Sequence, residues 1–312
     1  MRHPPVRLSL AVVAWVAACH TAAPAFAAEQ ARLAVPENAD VWFLGDSIFK
    51  GWGFATYDNP SPLCRVQDIC NLLAKDNLDS PTAFVRMAHE AAGPPDRPDF
   101  FLKVAALHDI GPQDWVIYED AGPHGSSYHG YRRKLALVAD AVAAEDRRLF
   151  FMTMFDYQPP LAESEYDAPT KDEPAKSIND AIRDEAAARG LTVIDMNRAM
   201  DRLQQELQRT CGGSTCFPDG IHPNVFGNLL MALVIVKSLG GDVGEWRLQA
   251  VEPHFDHPAG GGDVPPLNAA PWGWPRDLDD TARKKLLYAI RRVAASEDFL
   301  IEDSRADQAG GE

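Results

Sequence analysis

An apolar segment at residues 40–44, Asp-Val-Trp-Phe-Leu, runs without interruption into Gly45-Asp46-Ser47 and then meets Gly51 and Gly53. That order of residue types is how an α/β fold presents a hydroxyl at the carboxyl end of a strand. It makes Ser47 a candidate nucleophile and asks the rest of the chain for a base, an orienting acid and oxyanion donors.

The middle of the chain alternates strand and helix signals. After a Gly/Pro/Cys-containing stretch up to Cys70, a short strand is predicted at 83–87, and Gly93-Pro94-Pro95 breaks the chain before a helix at 98–108. A strand at 115–118 is followed by a helix at 131–145, where apolar residues recur at the three-and-four spacing of a helix packed on a sheet. Residues 149–154, Leu-Phe-Phe-Met-Thr-Met, read as a strand buried on both faces. A helix at 175–189 ends at Gly190, and a strand at 191–194, a helix at 196–208 and an apolar helix at 225–239 complete the series.

Such alternation predicts a mostly parallel sheet with helices on both faces, and sheets of this kind bind ligands at the carboxyl ends of their strands. Ser47, Gly93, the 119–124 loop and the Asp156 loop then share one rim. From residue 241 the chain becomes rich in glycine and proline, with Trp272 and Trp274 among them, before an amphipathic helix at 278–295 and a polar tail. Residues 241–312 therefore read as an appendage packed on the main domain, or a small separate module, with a disordered end.

The segment 217–224, Phe-Pro-Asp-Gly-Ile-His-Pro-Asn, lies just before the apolar helix and sets Asp219 three residues ahead of His222. Serine chemistry needs a base on the hydroxyl and an acid that holds the base in the right tautomer, and this turn supplies both. Taken alone, a histidine at that place is equally a capping or packing residue.

The two motifs together, Gly-Asp-Ser-x-x-x-Gly-x-Gly after the first strand and Asp-x-x-His-Pro before the last apolar helix, resemble the SGNH (GDSL-type) hydrolase family. The resemblance covers roughly residues 38–240. It implies a flavodoxin-like three-layer α/β/α sandwich, Ser47 as nucleophile, His222 as general base, Asp219 as its orienting partner, an ester substrate, and neither metal nor organic cofactor. It also implies an oxyanion hole built from the backbone N–H of Ser47, the backbone N–H of a glycine after the second strand, here Gly93, and an asparagine side chain after the third. Aligned on that third strand, Pro123 stands where the asparagine belongs. Losing one oxyanion donor costs about 3–4 kcal/mol of transition-state stabilisation. His124, followed by Ser126 and Ser127, is the first choice among polar residues on the same loop to replace it. The neighbouring pair Glu119 and Asp120 reads as a solvated or helix-capping pair.

Arg2 and Arg7 precede an apolar run at 8–18 that is too short to span a bilayer, and Ala25-Phe26-Ala27 offers a small-residue cleavage site. Residues 1–27 are accordingly expected to be a secretory signal peptide, and the protein to be secreted or periplasmic. Val16-Ala17-Ala18-Cys19 offers the alternative of a lipoprotein anchored through Cys19. Of the five cysteines, four remain beyond Cys19, in the close pairs Cys64 with Cys70 and Cys211 with Cys216. An even number in an exported chain points to disulfides, and two local bridges need the least chain closure.

The formal charge of −15 disfavours nucleic acid and anionic membrane surfaces as partners. It suits a neutral ester, and Trp52, Phe54 and Tyr57 beside the nucleophile are candidates for stacking on a sugar ring. The reading is an exported serine esterase acting on small acyl, chiefly acetyl, esters of a small molecule or carbohydrate. Two alternatives stay open: an O-acyltransferase on the same fold, and a catalytically impaired glycan-binding or interaction module, which Pro123 motivates.

Overall fold

Val41–Leu44 forms β1, a strand with every side chain buried, flanked on both sides by parallel neighbours. The computed structural model describes residues 35–36, 39–45, 47–50, 69–71, 73, 84–88, 110–119, 128–144, 147–154, 176–211, 222–241 and 280–301. The chain divides into two units, Met1–Arg32 and Leu33–Glu312, and all described residues belong to the second. After β1 come α1 (Ser47–Lys50), β2 (Phe84–Ala88), β3 (Trp115–Tyr118), α2 (Tyr128–Ala143), β4 (Arg148–Met152), α3 (Ile178–Arg189), β5 (Thr192–Ile194), α4 (Met196–Cys211), α5 (Val225–Ser238), α6 (Asp280–Ser296) and β6 (Leu300–Ile301).

The strands lie in the order β2-β1-β3-β4-β5-β6. All pairings from β2 to β5 are parallel, and β6 closes the edge antiparallel to β5. The parallel sheet is what the alternation of elements predicts, and the order 2-1-3-4-5 is the flavodoxin-like arrangement of an α/β/α sandwich that the family resemblance implies. Leu44 pairs with Tyr118, so β1 and β3 end level with each other. Asp114 sets the start of this pair: its carboxylate accepts from the Asp40 N–H at 2.8 Å, the Trp42 indole N–H at 2.9 Å and the Gly111 N–H at 2.7 Å.

Two helix groups cover the sheet. α2 and α3 pack on each other and on β4 and β5, while α4, α5 and α6 pack together with α5 against β5. Local chemistry sets their ends. Ser177 caps α3 reciprocally with Asp180, and Gly190 stops it in the left-handed conformation at φ 63°. Asn224 caps α5 by accepting from the Phe226 and Gly227 N–H groups.

Within α5 the side chains are buried all round except at Lys237, so the helix needs cover on its outer side. α6 supplies that cover through Leu286, Leu287, Ala289, Ile290, Val293 and Ala294, all in the same core as α5. Lys237 fastens the two helices: its ammonium donates to the carbonyls of Ala294 at 3.0 Å and Glu297 at 2.5 Å. Burial holds its pKa below the ordinary lysine range against the opposing pull of Asp298 and Glu297. Residues 280–301 thus share the core of the sheet domain.

Two expectations change here. Leu300–Ile301, in the stretch expected to be a polar tail, is the edge strand β6; two residues carry no readable periodicity, and pairing with β5 supplies the structure. At Cys70 the structure has a buried thiol where half of a Cys64–Cys70 bridge was expected. That thiol points at the backbone of α5 and donates to the Ala232 carbonyl at 3.8 Å, packing as a small apolar group. Cys64, Cys216 and the Cys211 side chain lie outside the described residues, as do residues 1–34, the expected helix at 98–108 and the chain end beyond residue 301.

Candidate active site

Between β1 and β3 the strand order reverses direction, and in open parallel sheets the crevice beyond such a point is where ligands bind. Two conspicuous residues stand at that crevice. Ser47 opens α1 three residues beyond the end of β1. Glu119 follows directly on β3, its N–H donating to the Leu44 carbonyl at 2.9 Å and so extending the ladder by one step.

Glu119 is not a solvated residue, contrary to its reading from sequence. Its exposure is 0%, and its carboxylate lies against Gly45, the first residue of the turn that leads to Ser47. A Cβ on Gly45 would stand 2.3 Å from Glu119 Oε2, 2.7 Å from the Glu119 carbonyl oxygen and 2.8 Å from Phe49 Cδ2. Only glycine fits at that position. Phe49 meets Phe43 edge to face, with ring centroids 5.2 Å apart, which anchors the far side of the turn on β1.

His222 is buried and directly precedes Pro223 and the α5 cap. Proline restricts the backbone of the residue before it, and the Pro223 carbonyl accepts from Asn228 Nδ2 at 3.4 Å. The loop that carries the imidazole is therefore tied to the first turn of α5. The other sequence candidates, Asp219, Gly93, Pro123, His124, Trp52, Phe54 and Tyr57, lie outside the described residues.

Further along the rim, Asp195 follows β5 and gathers donors from its neighbours. It accepts from Thr153 Oγ1 at 3.1 Å and the Arg183 guanidinium at 3.2 Å, while Thr153 Oγ1 accepts from the Asn197 N–H at 2.9 Å. Asp195 was not among the rim residues expected from sequence, and Glu119, expected on the rim, was not expected to be buried. A polar residue directly after an apolar strand was the available signal at Glu119 and Asp195. Among the described residues no group of three or more His, Cys, Asp or Glu is arranged to hold a metal, and no helix is long and apolar enough to cross a membrane.

The fold and rim define a flavodoxin-like α/β protein with a serine at its switch point. No family model matches the chain, and no curated protein matches it. Several solved structures are similar to it. A DUF4886 family protein from Bacteroides uniformis shares 12% identity at a TM-score of 0.49, covering 86% of this chain and 99% of its own. A variant of an acetyl xylan esterase from Geobacillus stearothermophilus shares 15% identity at 0.43, covering 68% of this chain and 99% of its own. A member of the lipolytic G-D-S-L family from Veillonella parvula shares 16% identity at 0.44, covering 62% and 94% respectively.

Proposed function

We propose that this chain is an exported serine esterase that releases small acyl groups, acetyl above all, from a carbohydrate or small-molecule ester. One observation carries the reading: Ser47 begins α1 beyond the carboxyl end of β1, at the point where strand order reverses in a parallel sheet. The motifs around Ser47 and His222 supply the chemistry for that place.

In this mechanism His222 takes the Ser47 proton as the hydroxyl oxygen attacks the ester carbonyl, with Asp219 holding the imidazole tautomer. The N–H groups of Ser47 and Gly93 stabilise the oxyanion, and His124 stands in for the asparagine that Pro123 displaces. The imidazolium returns its proton to the departing alcohol. Water, deprotonated by His222, then attacks the acyl-enzyme, and the acid leaves as Ser47 regains its proton. Trp52, Phe54 and Tyr57 offer aromatic faces for a sugar ring, and the chain's formal charge of −15 suits a neutral substrate.

The test is turnover of a short-chain aryl ester by the wild type and by Ser47→Ala, together with labelling by a fluorophosphonate probe. The wild type should turn over and label at Ser47, and the alanine variant should do neither. Full activity in Ser47→Ala ends the proposal. A folded wild type that fails to label favours the second reading, a glycan-binding module with an unactivated serine, for which Pro123 is the motive. New esters formed on added glycans from an acyl donor would assign transfer in place of hydrolysis.

A further inference from the structure

We propose that Glu119 is the positioning residue of the nucleophile turn, an inference that rests on Ser47 being the nucleophile. β1 and β3 are latched together up to the Glu119 N–H, and beyond that step the Glu119 side chain lies across the start of the turn. Its Oε2 occupies the space that the missing Gly45 side chain leaves open, and nothing of the residue is exposed. A carboxylate taken fully out of water is retained where hydrogen-bond donors meet it, because burying it without them costs far more than one hydrogen bond contributes.

The oxygens of a carboxylate accept from N–H or O–H groups. The backbone it abuts is Gly45, where the chain leaves the β1 ladder and starts α1. In this proposal Glu119 Oε2, the oxygen set against Gly45, takes an N–H of the turn as its partner, and so fixes where Ser47 stands before a substrate arrives. Gly45 and Glu119 form one device: glycine allows the approach, and the carboxylate makes use of it.

The experiment compares Glu119→Gln, Glu119→Asp and Ser47→Ala in the full chain. The readouts are thermal midpoint, kcat and KM on an aryl acetate, and the rate of fluorophosphonate labelling. Glutamine keeps the volume of the side chain but turns an amide donor toward donors. Glu119→Gln should fold, hold KM within about twofold, and lose about 10- to 100-fold in both kcat and labelling rate, the scale expected when a reacting group is displaced by about an ångström. Glu119→Asp keeps the acceptor at shorter reach and should fall between the glutamine variant and the wild type; it decides the matter if the glutamine variant does not fold. Wild-type kcat and labelling in a folded Glu119→Gln overturn the proposal, as does a rise in KM at unchanged kcat. If Ser47→Ala is inactive while Glu119→Gln matches the wild type, only this inference falls; if Ser47→Ala remains active, the nucleophile assignment falls with it.

Discussion

The side-chain amide of Asn179 closes a two-bond ring on the backbone of Met154: its Oδ1 accepts from the Met154 N–H, and its Nδ2 donates to the Met154 carbonyl, both at 2.8 Å. Neither residue has exposed surface. Met154 lies two residues beyond β4, so here an asparagine on α3 does what a neighbouring strand would do, at the point where the chain leaves the sheet for the rim.

Replacing Asn179 by alanine strands a buried N–H and a buried carbonyl, each costing about 1–3 kcal/mol, so a loss of about 2–6 kcal/mol is expected. Asn179→Asp still accepts from the N–H but sets a second oxygen against the Met154 carbonyl and should lose at least as much. Urea unfolding of both variants measures it. A change below about 0.5 kcal/mol for the alanine variant would show the ring to be energetically idle.

Stability at low pH should depend on Asp184. Burial pushes its carboxyl up, but hydrogen bonds from Tyr128 at 2.5 Å and Lys176 at 3.0 Å, with the charges of Lys176 and Arg132, outweigh burial and hold it below its ordinary 3.8. A carboxylate depressed on folding contributes stability above its unfolded pKa, and loses it as pH falls from about 3.8 through the folded value. The difference in stability between wild type and Asp184→Asn should therefore be constant above about pH 5 and shrink toward strong acid. Because the group is partly open to solvent, added salt should reduce it. A gap that widens in acid would contradict the assigned sign.

Gly190 isolates a backbone effect. Its φ is 63°, and nothing lies within 4 Å of where a Cβ would stand, so alanine there meets no clash and costs only the left-handed conformation. About 1–2 kcal/mol should be lost in Gly190→Ala, and less in Gly190→Asn, since asparagine tolerates that region. Chemical denaturation with an unchanged m-value is the check.

Ending the chain before residue 280 removes α6 and bares the outer side of α5. Four large apolar side chains, Leu286, Leu287, Ile290 and Val293, leave the core, a loss on the order of 6–10 kcal/mol that rivals the whole net stability of a domain. The truncated chain should bind a hydrophobic dye and unfold without a cooperative transition. Lys237→Met, which removes only the ammonium from the Ala294 and Glu297 carbonyls, should stay folded and raise amide exchange in the last turn of α6.

Most strands and helices on the described residues, β6 and the short α1 apart, were legible because their signals are local. Residues 115–118 and 192–194 are short apolar runs between turn signals, and α5 is so uniformly apolar that burial follows from composition. Boundaries moved by a few residues: α2 starts at Tyr128, where 131 was expected, and the tyrosine hydroxyl donates to Asp184 on α3. Among the candidate site residues, Ser47 falls where the strand-end argument put it, and His222 keeps its place before α5. The role of neither is visible in a spacing pattern.

The parallel α/β architecture, the strand end that offers Ser47 and the segment that sets Asp219 three residues before His222 follow from local signals, since periodicity, glycine and capping residues act over a few positions of chain. The burial of Glu119 against Gly45, the approach of the Cys70 thiol to α5 and the entry of Leu300–Ile301 into the sheet come from packing and strand pairing. Each of these depends on segments far apart in the chain. Whether a carboxylate sits in water or against a glycine is settled by which strands pair and in what register, and no local pattern carries that information.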